Sequence, residues 1–161
     1  MRRRRILSTL TPAMLLLAGV TRADTTSTVV LGGTVPATAR ASVEETEEAS
    51  RLNLTSAGPT IVRVSTVPVS TNEARGLTLS VRSGYLSGDG GTPVAYQVAV
   101  VPAGSLVPAP AVFTTAPGAT CTVGTLSMGS SRSDIYIRYH PADRPAANRY
   151  AGWIELTLSD D

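Results

Sequence analysis

The side chains most able to do chemistry are few. His140 is the single histidine and is followed by Pro141 and Asp143; Cys121 is the single cysteine. A hydrolase needs a nucleophile, a base and an orienting acid in mutual contact. His140 could serve as the base, but no serine lies in a nucleophile elbow. The nearest match, Gly124-Thr-Leu-Ser-Met-Gly129, has the wrong spacing for G-x-S-x-G. A zinc site takes three or four clustered Cys, His or carboxylate ligands, and one His with one Cys falls short. Gly88-Asp-Gly-Gly91 has no strand–helix context in which to cradle a phosphate. Among twelve acids no two are marked out as a glycosidase pair, and few aromatics are present to line a sugar cleft. Glu44-Glu-Thr-Glu-Glu48 packs four carboxylates into five residues, but without the spaced ligands and Gly turn of a cation loop. A solvated loop or one helical turn is the expected form. The reading is a non-enzyme, with no catalytic residue, cofactor or metal site. Asn53-Leu-Thr55 matches a glycosylation sequon, which has meaning only in a eukaryotic host.

The N-terminus carries an address. Arg2–Arg5 form a basic cluster, an apolar run follows from Ile6 to Val20, and Thr21-Arg-Ala23 places small residues at −3 and −1. This is the layout of a secretory signal peptide, so cleavage is expected between Ala23 and Asp24. Ser8, Thr9, Thr11 and Pro12 interrupt the run, which stays short of the roughly 20 apolar residues of a spanning helix. No membrane span is therefore expected after cleavage. The predicted organisation is a signal peptide over 1–23 and one domain over 24–161.

Cleavage reverses the charge. The full chain has 14 basic residues, all Arg, against 12 acids, net +2. Removing Arg2–Arg5 and Arg22, five of the fourteen, leaves nine against twelve, net −3. The basic balance thus leaves with the signal, and no nucleic-acid partner is expected. A lone cysteine permits no intrachain disulfide. Cys121 is free, pairs with another chain, or is a small buried hydrophobe in a strand. The remaining length can bury about two-thirds of its unfolded surface without staples.

The elements that would position any site follow period two. Val29, Leu31, Gly33, Val35, Ala37, Ala39, Ala41 and Val43 share one parity, with Pro36 favouring a sheet edge. Arg51–Thr55 reads as a short strand. Ile61–Val69 shifts parity between Val64 and Val67, which predicts a bulge near Ser65-Thr66 or at Pro68. Leu77, Leu79 and Val81 alternate, as do Val94, Tyr96, Val98 and Val100. Ser83–Pro93 reads as a turn, and Pro102–Gly118 as a loop with a short strand at Ala111–Phe113. Ala119, Cys121 and Val123 predict one more strand, and Ile135, Ile137 and Tyr139 another. His140–Asn148 reads as a turn-rich connection. Tyr150, Gly152, Ile154, Leu156 and Leu158 predict a final strand with Trp153 on its other face. About seven or eight short strands without an amphipathic helix or internal repeat predict an all-β, antiparallel, immunoglobulin-like sandwich.

Three segments carry a resemblance: Gly33-Thr-Val-Pro-Ala37, then Val62-Arg-Val with Ser70-Thr-Asn-Glu-Ala-Arg-Gly-Leu-Thr-Leu-Ser80, then Asn148-Arg-Tyr-Ala-Gly-Trp-Ile-Glu-Leu-Thr-Leu-Ser159. Over about residues 29–159 the chain resembles bacterial chaperone–usher fimbrial subunits and the spore-coat-U group. The resemblance implies an incomplete immunoglobulin-like sandwich whose missing strand is donated by a neighbour's N-terminal extension. It implies Asp24–Leu31 as donor, with Val29 and Leu31 entering pockets and Gly33 and Val35 continuing the strand. Tyr150, Gly152, Ile154, Leu156 and Leu158 would form the acceptor edge. Implied partners are other copies or related subunits, a periplasmic chaperone and an outer-membrane usher. Many members carry a disulfide beginning near the position of Ala39, which this chain lacks. The same residues 29–35 also read as the first core strand of a complete domain.

Two functions follow as expectations. One is an exported structural subunit of a surface fibre or coat, joined by strand donation. The other is a self-complete immunoglobulin-like module in the periplasm or outside the cell, binding a protein or glycan. The state of the final strand's edge distinguishes them.

Overall fold

The computed structural model describes residues 32–56, 58–126, 128–141 and 149–160. The expected signal peptide, its Ala23/Asp24 cleavage site and the donor residues Val29 and Leu31 lie outside the described residues, as does most of the connection after His140.

The described chain is all-β and antiparallel, and no described residue is in an α-helix. Its strands are β1 (Ala39–Ala41), β2 (Glu44–Glu45), β3 (Thr60–Thr71), β4 (Leu77–Arg82), β5 (Gly84–Gly88), β6 (Val94–Pro102), β7 (Thr120–Leu126), β8 (Gly129–Tyr139), β9 (Tyr150–Ala151) and β10 (Glu155–Asp160). The larger sheet runs β1-β3-β8-β6-β5-β9, with β2 also on β3; the smaller runs β10-β4-β7. Among the described residues no helix is long and apolar enough to cross a membrane.

The alternating segments supply one core. Leu77, Leu79 and Val81 of the smaller sheet cluster with Val67 and Val69, Tyr96 and Val98, and Ile135 and Ile137 of the larger. Period two puts these side chains on one face of each strand, so both sheets bury an apolar face together. The central strand β8 is covered on both sides. Its outer Tyr136 is buried with Ala99 and Phe113, because the proline-rich segment after β6 folds back over the sheet. Gln97 Nε2 donates to the Thr115 carbonyl at 2.9 Å to hold that segment down.

Several expectations need correction. The bulge expected near Ser65 is not among them; it is present in β3, between Arg63 and Ser65. Leu52 and Leu54 do pack on the core, but Arg51–Thr55 is no strand. Asn53 Oδ1 accepts from the Thr55 backbone N–H at 3.0 Å and its hydroxyl at 2.8 Å, a local turn that competes with any ladder. Ser83–Pro93 contains the strand β5, and only its Asp89-Gly90 tip turns, with Gly90 at φ +74°. Ala111–Phe113 is not a strand; Pro110 starts a 3-10 turn there. The segment from Gly33 to Val43 does not form a core strand. Only Ala39–Ala41 pairs, and Val35 stays 81% exposed. Asn72 clamps the stretch before β1, donating to the Pro36 carbonyl at 3.0 Å and accepting from the Thr38 N–H.

The predicted final strand is two strands in different sheets. Tyr150-Ala151 pairs with β5 in the larger sheet, and Glu155–Asp160 pairs with β4 in the smaller. The chain crosses between the sheets over Gly152–Ile154. A Cβ at Gly152 would lie 2.8 Å from the Tyr85 carbonyl oxygen, so the crossing requires glycine. The Tyr96 hydroxyl donates to the Trp153 carbonyl and fixes the crossing from below. Burial raises the Tyr96 pKa.

Candidate functional site

The chain crossing opens beside an apolar groove of about 340 Å³. Gly152, Trp153, Ile154 and Leu156 form one wall, and Val43, Glu45, Ala49, Ser50 and Leu52 the other. Val64, Leu86 and Ile137 lie at its base and connect it to the core. Of the five residues predicted for the acceptor edge, the structure brings Gly152, Ile154 and Leu156 to the groove. Leu158 lies further along β10, and Tyr150 belongs to the other sheet.

The edge beside this groove is unlike the others. β10 pairs with β4 through six consecutive residues with no register shift, and among the described residues β4 is its one neighbour in the sheet. Half-buried Leu156 and Leu158 alternate with exposed Glu155, Thr157 and Ser159, and the strand has no proline. The remaining edges are blunted in the usual ways. β1 and β9 have three and two residues, and the β4–β7 ladder shifts register between Leu77 and Leu79. A regular strand edge next to an apolar trough is a template for another strand.

The opposite wall was not legible as a wall. Glu47–Ser50 is a 3-10 turn that sets Ala49 and Leu52 against the core. The acidic cluster around it is exposed. Glu44 pairs with Arg132 at 2.6 Å and Glu47 with Arg51 at 3.9 Å, contacts worth little at such exposure.

Among the described residues the reactive side chains do not converge. His140 is exposed beyond the end of β8. Cys121 is half-buried in β7, and burial raises its thiol pKa. Among the described residues no three His, Cys, Asp or Glu side chains are grouped to hold a metal, and no buried side-chain N or O lacks a partner. Trp153 is 82% exposed, facing outward as its parity predicts. Gly33 and Val35, predicted to continue the donor strand, are exposed and lie outside any strand. No protein-family model, curated protein or solved structure matches the chain.

Proposed function

We propose that this chain is an exported structural subunit of a surface fibre or coat, and that its copies join by strand donation. The domain is read as an immunoglobulin-like sandwich lacking its last strand. The occupant of the groove is the segment Asp24–Val35 of a second copy, laid along β10. The observation that carries this reading is the regular edge of β10, paired on one side only among the described residues, beside the apolar groove. A second feature supports it: Val35 continues the alternating series of Val29, Leu31 and Gly33, yet the chain's own fold leaves it 81% exposed. Main-chain bonds to β10 would supply affinity, and alternate side chains would enter the trough. Export by the N-terminal signal, a periplasmic chaperone covering the groove before assembly and an outer-membrane usher complete the proposal.

The test compares periplasmic material of the intact protein with a variant lacking Asp24–Leu31 on unheated SDS gels. A ladder that collapses on boiling and is absent from the truncated variant supports strand donation. Addition of a synthetic Asp24–Ala37 peptide should then convert the truncated protein to a heat-sensitive 1:1 complex. A single folded monomer in both preparations that ignores the peptide would sink the proposal and leave a self-complete binding module.

A further inference from the structure

On the outer side of the sheet crossing lies a second depression, of about 350 Å³, bordered by Arg82, Tyr85, Ser87, Trp153 and Glu155. We infer that this cleft binds a neutral saccharide, with Trp153 and Tyr85 as its stacking platforms.

The aromatic rings are the first argument. The chain has one Trp and five Tyr. Trp153 is 82% exposed and Tyr85 is 50% exposed, and both line this one cleft. Large exposed aromatic surface is costly to keep in water, and when gathered in one place it marks a binding site. An aromatic face has a negative π-surface, which suits the weakly positive C–H face of a pyranose ring.

The polar groups are the second argument. Arg82 and Glu155 are partners across β4 and β10, with Nη1 and Oε2 3.7 Å apart. Arg82 Nε also donates to the Gly118 carbonyl at 3.1 Å, which anchors the fork and leaves further N–H groups to donate. A donor-only and an acceptor-only side chain thus stand side by side. A sugar hydroxyl both donates and accepts, so adjacent hydroxyls satisfy both. An anion would meet the Glu155 carboxylate. A proline-rich peptide would bring carbonyl acceptors and few N–H donors, and so would engage Arg82 while offering Glu155 nothing beyond its Arg82 contact.

The framework is rigid, which is the third argument. Ser83, where the chain passes from β4 to β5, is buried, and its hydroxyl lies 2.8 Å and 2.9 Å from the Ala116 and Ala119 carbonyls. Its N–H donates to Ala119 at 3.0 Å. The backbones of Gly152 and Tyr85 meet too closely to admit a Cβ at Gly152. Aromatic rings carried on so fixed a corner bind with little ordering cost. This inference does not depend on strand donation, because the cleft lies within one chain.

Trp153 is the only tryptophan and borders the groove as well as this cleft, so its emission reports binding and the Tyr85 variant, which touches the cleft alone, assigns it. The purified protein is titrated with maltotriose, cellotriose, chitotriose and mannotriose, up to about 20 mM to cover weak single-site affinities. At least one should shift the emission to the blue and saturate. Tyr85→Ala should weaken that binding by about tenfold, the loss of one stacking contact of about 1.4 kcal/mol. By calorimetry Trp153→Ala should abolish it and Trp153→Phe should retain part of it. Unchanged melting temperatures establish that all three variants fold. The inference is overturned by silence across the whole panel, by saccharide binding that survives both alanine variants, or by a proline-rich peptide that shifts the emission where saccharides do not.

Discussion

The Thr66 hydroxyl donates to Asp134 Oδ1 at 2.6 Å, between residues that face each other in the β3–β8 ladder. The other carboxylate oxygen accepts from the Gly104 N–H at 3.0 Å and lies 3.7 Å from Arg63 Nη1. Asp134 is buried, so these partners tie β3, β8 and the segment after β6 into one unit. Removing the carboxylate takes a shared acceptor from all three groups at once, which costs more than losing a single hydrogen bond. Asp134→Ala should lower the unfolding free energy by roughly 3 kcal/mol and Thr66→Val by about 1 kcal/mol. Urea denaturation at neutral pH measures both, and equal losses would mean that the charge of Asp134 holds nothing beyond the Thr66 contact.

The same carboxyl should govern acid stability. Burial alone would raise its pKa; the Thr66 hydroxyl, the Gly104 N–H and the Arg63 guanidinium together hold it below the ordinary aspartate value. The folded carboxyl therefore releases its proton more readily than the unfolded one. Its contribution is complete above the unfolded value of about 4 and is lost as the pH falls through the lower folded value. Urea midpoints taken between neutral and strongly acid pH should decline on the acid side. Asp134→Asn should be less stable at neutral pH and should show a shallower acid decline. A parallel decline in both proteins would assign acid sensitivity to other carboxylates.

Much of this architecture is legible because period two reports which side of a strand is buried. β4, β6 and the inner face of β8 follow directly from Leu77–Val81, Val94–Val100 and Ile135–Tyr139. The pattern is blind to which sheet a strand joins. Tyr150 to Leu158 keep one parity throughout, yet Gly152 passes the chain from one sheet to the other, a consequence of the Tyr85 backbone beneath it. Glycine misleads in the opposite direction at Gly84 and Gly88, which end a real strand and not a turn. The groove is half-legible for the same reasons. Its β10 wall follows from alternation. Its Val43–Leu52 wall depends on a local Asn53 turn and a 3-10 segment that no periodicity announces.

Strand donation and a first core strand make opposite demands on Val35. A core valine replaced by aspartate unfolds a domain, whereas an exposed one is nearly neutral. Val35 is 81% exposed, so Val35→Asp should change monomer stability by less than about 0.5 kcal/mol. If the segment is donated, the same variant should deplete the heat-sensitive ladder several-fold. Leu79→Ala is the contrasting case: at 1% exposure in β4, it should cost about 2–5 kcal/mol in any assembly state. A Val35→Asp protein that polymerises normally would remove Val35 from the donated strand.

Gly152 joins the fold to both candidate sites, because it lines the groove and immediately precedes Trp153. A methyl group there would stand 2.8 Å from the Tyr85 carbonyl oxygen and 3.0 Å from Leu86 Cδ2. The oxygen belongs to the β5 backbone and cannot step aside as a side-chain tip could. The crossing must move outward, which strains the Tyr96–Trp153 hydrogen bond and the start of β10. Gly152→Ala should cost about 1–3 kcal/mol, the range for overpacking a well-filled site. The displacement should also alter the emission of Trp153 and weaken the gel ladder, while Gly90→Ala, which strains only its own turn at φ +74°, should leave both readouts intact. Wild-type emission and stability in Gly152→Ala would mean that the crossing has room to adjust, and that the geometry of both sites does not depend on this glycine.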